Sequence, residues 1–222
     1  MHLDHEVDPD ERPQDFVNKT YFEMADRVDG ALTATRSQFG NDFKLRCERS
    51  PLRKLEVSDA GTLVYRGKDG RQHSDAVGLY DPWNNHITVA AAYLDHRQYD
   101  SPRVGRWVVD DTFEGTVRHE FGHYVQDHLL SNKELTLWMQ KFNDVDSDPA
   151  GPKNAIAKHI SKYAATSSKE CFAESFCAYT HPGYRRGMLP PEFEDFFDNL
   201  VFEKTEKQIG ESPAMLDSPW RK

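Results

Sequence analysis

The sequence predicts an α+β fold. A small antiparallel or mixed sheet, with an edge strand set over one signature helix, is followed by a mostly helical lobe. Three observations predict this. Runs of β-branched and aromatic residues gather before residue 92, helical periodicities dominate after residue 112, and the two types do not alternate along the chain.

The elements follow in order. Residues 1–15 carry Asp4, Glu6, Asp8, Asp10, Glu11 and Asp15 against a single base, Arg12, and are expected to form an acidic flexible arm. Residues 16–58 are expected to form an N-terminal helical segment packed on the core. Phe16, Tyr21, Met24, Val28, Leu32 and Thr35 fall near helical spacing up to about residue 38, and Gly40-Asn41 supplies a stop. The stretches 43–47 and 52–57 are short and fit either helix or strand. The main domain is expected over 59–210, with a tail at 211–222.

Within that domain, Thr62–Arg66 has strand composition and precedes the turn Gly67-Lys68-Asp69-Gly70. Residues 76–91 read as a hairpin closed by Asp81-Pro82-Trp83-Asn84-Asn85. A loop over 94–106 leads to a helix from Phe113 to Leu130. Asp111 is its expected N-cap, with Glu114 as the capping-box partner. Further helices are expected at 132–143 and, weakly, at 153–161, separated by a loop at 144–152. Ser167 and Glu170 form a second capping box that opens a helix through Tyr179, and Pro190-Pro191 start a final aromatic helix.

Composition narrows function. The net charge of -9 gives no basic footprint for nucleic acid. No run of 18 apolar residues is present to cross a bilayer, and MHLDHEVDPD lacks the basic and apolar regions of a secretory signal. The three cysteines, Cys47, Cys171 and Cys177, form no CxxC and are expected to be buried thiols in a reducing compartment.

The strongest motif is His119-Glu120-Phe121-Gly122-His123. Four residues of helix turn a side chain by about 400°, so the two histidines share a face and can hold one Zn²⁺. Glu120 then flanks the position of an activated water. The competing reading is two solvated histidines on a helix surface. Gly122 is a poor helix former in mid-helix, at a cost of about 1 kcal/mol relative to Ala. It implies a close approach, either of a ligand or of another helix.

A catalytic zinc needs a third protein ligand and an open fourth position. Glu170-Cys171-Phe172-Ala173-Glu174 offers two carboxylates one helical turn apart. Glu170 as ligand and Glu174 as acceptor for a ligating histidine would resolve the cost of aiming both at an apolar packing surface. An exposed acidic stripe is the alternative. Cys171 is expected to be a core thiol.

HEFGH, then about forty residues, then Tyr163-x6-Glu170-x-x-Ala173-Glu174 resembles the glutamate-zincin metallopeptidases. That group includes the catalytic domain of anthrax lethal factor, the Pro-Pro endopeptidases and related peptidases of phage and mobile elements. The resemblance covers roughly residues 60–205 and is strongest across 113–180. It implies a zincin-like fold, His119, His123 and Glu170 as zinc ligands, Glu120 as general base, Tyr163 as oxyanion donor and Glu174 as the carboxylate behind a ligand.

The expected function is therefore zinc-dependent hydrolysis of a peptide bond. The substrate would lie extended along an edge strand near 86–91. A thermolysin-like role for His159 as oxyanion donor is the competing assignment to Tyr163. His86, His96, His128 and His181 have no ligand spacing. A second functional class stays open: a phage head or other virion-associated interaction protein that retains the fold. The expected location is cytoplasmic or virion-associated.

Overall fold

The computed structural model describes Gly30 and residues 41–58, 62–66, 70–90, 100–146 and 152–201. The acidic arm, all but Gly30 of the expected 16–38 helix, and the 211–222 tail lie outside the described residues. Helix α1 (Asn41–Arg49) leads to β1 (Lys54–Ser58), β2 (Leu63–Arg66), β3 (Gln72–Ala76), β4 (Gly78–Asp81) and β5 (His86–Ala90). Then come α2 (Phe113–Tyr124), extended by a wider π turn over Val125–Leu129, α3 (Asn132–Asp146), α4 (Pro152–His159), a short 3₁₀ turn at Ala164–Thr166, α5 (Ser168–Tyr179) and α6 (Pro191–Val201). After α1 the strands come before the remaining helices and do not alternate with them, so the class is α+β as expected.

Strands β4 and β5 form the expected hairpin, with Gly78 opposite Val89 and Asp81 opposite His86. Its turn is built by side chains. Asp81 Oδ1 accepts from the backbone N–H of Trp83 at 2.9 Å and of Asn84 at 3.2 Å. Asn85 takes the left-handed conformation at φ 51°, which asparagine tolerates better than most residues.

Strand β1 pairs in parallel with β5, Lys54 opposite His86 through Ser58 opposite Ala90. The sheet order is therefore β1-β5-β4. This corrects the expectation of an edge strand near 86–91, because β5 is the central strand. The reason lies in its composition. Ile87, Val89 and Ala90 are completely buried, as a strand flanked on both sides requires. Among the described residues the strand at the edge on the α2 side is β4. The expected boundary between 58 and 59 falls at the end of β1, a strand of this same sheet.

The other differences concern helix ends. The N-cap of α2 is Thr112, not Asp111: its hydroxyl accepts from Gly115 N at 3.0 Å. Asp110 decides this, since its Oδ1 accepts from both Thr112 N (3.1 Å) and Thr112 Oγ1 (2.7 Å) and so presets the capping rotamer. At α5 the cap is Ser167 as expected, accepting from Glu170 N at 3.1 Å. The reciprocal half of the capping box is not made, because the Glu170 carboxylate faces the histidines instead.

Helices α2 and α5 pack at close range at Gly122. A Cβ there would lie 3.0 Å from Ala173 Cα and 3.3 Å from Phe176 Cβ. The helical lobe gathers around Trp138 of α3, whose ring meets Phe172 of α5 at 5.0 Å and Phe193 of α6 at 4.7 Å between centroids. Cys171 and Cys177 are buried as expected, whereas Cys47 is half-buried. No helix among the described residues is long and apolar enough to cross a membrane.

A branched side chain at Gly122 must push the two helices apart. Gly122→Val is expected to destabilise the protein by about 1–3 kcal/mol, read as a lower denaturant midpoint at unchanged m-value. An unchanged midpoint would show that the helices do not depend on this contact.

Candidate metal centre

Helix α2 presents His119 and His123 one turn apart, their rings 4.9 Å apart at 83°. Helix α5 presents Glu170 in its first turn, with the Ser167 cap fixing its backbone. Because α2 and α5 approach closely, the side chains meet. Glu170 Oε2 lies 3.2 Å from His119 Nε2 and 3.3 Å from His123 Nε2. One ligand atom from each of the three residues falls within 4.8 Å of the others.

The donor set suits a metal. Two imidazoles and one carboxylate match zinc's preferences and leave a fourth position open. A further observation points the same way. Glu170 Oε2 is buried and has no hydrogen-bond partner, despite its short distances to both rings. An orphaned buried carboxylate oxygen is costly, and a divalent cation shared with the two imidazoles would satisfy it.

Glu174, one turn beyond Glu170, is buried and locked from two sides. Its Oε1 lies 2.8 Å from His119 Nδ1, and its Oε2 accepts the Val109 N–H at 2.8 Å. A carboxylate at Nδ1 favours the tautomer with its proton there, which leaves the Nε2 lone pair facing Glu170. Burial works against a charge on His119, but the carboxylates of Glu170 and Glu174 beside it outweigh burial and raise the imidazole's pKa well above its ordinary value. Burial would raise Glu170 too. There the two histidines outweigh it and hold the carboxyl well below the usual range. Both shifts describe a site that favours positive charge between the two helices.

Glu120 is buried beside this cluster. Burial pushes its pKa up, His119 and His123 pull it down, and the nearby Glu170 and Glu174 add to the rise. Tyr163 stacks on His119 with ring centroids 5.7 Å apart and 30° between planes. Its phenol pKa is raised, first by burial and then by the negative charges of Glu170, Glu120 and Glu174. The structure thus brings together His119, His123, Glu170, Glu174, Glu120 and Tyr163, the six expected residues. His159, at the end of α4, is half-buried and outside the ligand group. His128 lies 3.2 Å from the Pro82 carbonyl, His86 is 3.3 Å from Glu56, and His181 is 3.8 Å from Asp110, so none of these joins it.

Several contributors had not been singled out from sequence. Gly78 of β4 lies directly over Glu120: a Cβ there would sit 2.5 Å from Glu120 Oε1 and 2.7 Å from Thr116 Cγ2. A glycine inside a strand run is a signal for close approach, and Ala76-Val77-Gly78-Leu79 carries it. Buried Asp110 pairs with buried Arg118, the residue before His119, and this loop also supplies the Val109 N–H to Glu174. No local pattern marks that pairing. Trp107 packs against Tyr163 at a tilt of 33°, with centroids 6.2 Å apart.

Comparison with protein-family models, with curated proteins and with solved structures finds no match to this chain. Its chemistry is read from the site itself.

Glu174→Ala would release His119 and leave the Val109 N–H unpartnered. Zinc affinity is expected to fall about 10–100-fold, measured by competition with a chromophoric chelator. Unchanged affinity would show that Glu174 does not orient a ligand.

Proposed function

We propose that this chain is a zinc-dependent endopeptidase of the glutamate-zincin type, with His119, His123 and Glu170 holding the metal. The observation that carries this reading is the convergence of those three residues, within 4.8 Å, with buried Glu120 next to His119 in the chain and Tyr163 stacked on the His119 ring. A zinc ion held by those residues would supply Lewis acidity, polarising a carbonyl and acidifying a water near neutral pH.

The chain's own residues then have separate tasks. Glu120 takes the proton of the attacking water and passes it to the leaving amine. Its burial under Gly78 raises its basicity and shields it from bulk solvent. Tyr163 keeps its proton, because burial and three carboxylates disfavour the phenolate. It can therefore donate to the carbonyl oxygen as negative charge develops there. Glu174 holds His119 in one tautomer and one orientation.

The substrate track moves to β4. Gly78–Asp81 pairs with β5 on one side only among the described residues and lies over the helix that carries Glu120. An extended peptide can add to that edge by main-chain hydrogen bonds. The lack of a side chain at Gly78 keeps β4 close above the general base. An interaction protein that merely retains this architecture would have no need of Glu120 or Tyr163, and both are in place.

Two substitutions separate binding from chemistry. Glu120→Gln is expected to keep one zinc per chain while peptide turnover falls at least 10²–10⁴-fold, assayed on a mixed peptide library. Near-normal cleavage by this variant would refute the base assignment. Tyr163→Phe is expected to lower kcat about 10²-fold with little change in KM. If His159→Ala cripples the enzyme and Tyr163→Phe does not, the oxyanion donor is His159.

A further inference from the structure

Trp107 is a large apolar side chain left 64% exposed beside the buried polar cluster of His119, Glu120 and Glu174. Among the described residues two tryptophans are exposed, Trp83 in the β4–β5 turn and Trp107, and it is Trp107 whose ring meets Tyr163. Its indole packs against Tyr163 at a tilt of 33°, and Tyr163 stacks on His119, so neighbouring rings lead from the candidate metal site to this exposed side chain.

The backbone beneath the indole is pinned. Arg103 N donates to Val109 O at 2.7 Å, and Gly105 N donates to Ile160 O at 2.8 Å. Arg106 O accepts from Lys162 N at 2.8 Å, and Trp107 O accepts from Tyr163 N at 2.9 Å. Gly105 turns this strap at φ 76°, and a Cβ there would lie 2.9 Å from Lys158 O. The indole is therefore exposed but held on a fixed backbone. A rigid aromatic surface costs little entropy to bind against.

Resting on the peptidase reading, we propose that Trp107 is a specificity-determining surface of the cleft. Its partner is an apolar side chain, aromatic or branched aliphatic, on an extended peptide substrate. The spacings of 6.2 and 5.7 Å put the indole within about four residues of extended chain from His119, at about 3.3 Å per residue. The selected side chain thus lies within about four positions of the scissile bond. Removing it from water against the indole favours such substrates over those with Gly or Ser at that position.

The test uses the full-length zinc-loaded protein and matched peptides that differ only at the selected position, Leu or Phe against Ser, found by library cleavage with the wild type. The wild type is expected to prefer the apolar peptide at least about ten-fold in kcat/KM. Trp107→Ala should collapse that ratio to within about two-fold, and Trp107→Phe should retain most of it. Direct binding gives a second readout. Glu120→Gln protein should bind the apolar peptide more tightly than the Ser peptide by fluorescence anisotropy, and adding Trp107→Ala should erase the difference.

A uniform loss of kcat on both peptides, with the ratio intact, would make Trp107 a prop for Tyr163 and overturn the proposal. So would an unchanged ratio. If the wild type binds zinc yet cleaves no library peptide, the peptidase reading itself fails and this inference falls with it. Should Trp107→Ala fail to fold, Trp107→Gln against Trp107→Phe reads the same ratio.

Discussion

The close approach of α2 and α5 at Gly122 and Ala173 is the constraint on which the site depends. Each helix carries a pair of polar residues one turn apart, His119 with His123 and Glu170 with Glu174. Neither pair is useful alone. A Cβ at position 122 would already press on Ala173 Cα at 3.0 Å, so the helices meet at backbone range. From there Glu170 Oε2 lies within 3.2 and 3.3 Å of both imidazoles. The glycine lowers helix propensity by about 1 kcal/mol. Burial of Phe121, Phe172 and Phe176 around the same contact offsets that cost several times over.

The site's polarity is tolerable because its buried groups hold one another. Glu174 is almost completely buried, and both of its oxygens are engaged, by His119 and by the Val109 N–H. The segment around Val109 serves three purposes at once. It satisfies Glu174, supplies Asp110 to pair with Arg118, and through Asp110 sets the Thr112 cap that starts α2. The start of α2 and the orientation of His119 are thereby coupled through four consecutive residues. Among the described residues Glu170 Oε2 is a buried oxygen at the centre without a hydrogen bond, and a shared cation would satisfy it.

How much of this was legible in the sequence follows from the range of each interaction. The i, i+4 spacing of His119 and His123, and again of Glu170 and Glu174, is a local signal, as are the Ser167 cap and the Asp81–Asn85 turn. All of these appear where the spacing put them. The parallel pairing of β1 with β5 joins segments some thirty residues apart and leaves no local trace. The central strand was therefore mistaken for an edge. Thr112 and Asp111 are both good capping residues, and what chooses between them is Asp110, whose role is set by Arg118 one turn into the helix. Gly78 and Trp107 matter through what faces them across space, which a linear pattern does not record.

The central claim is that one zinc is held by two imidazoles and one carboxylate. X-ray absorption on protein reconstituted with zinc and freed of excess metal tests it most directly. The expected result is one zinc per chain, with a first coordination sphere of nitrogen and oxygen at about 2.0–2.2 Å, two histidine scattering paths and no sulfur. Glu170→Ala should lose most of the bound metal. Zinc below about 0.2 per chain after reconstitution, or a sphere without histidine nitrogen, would contradict the claim.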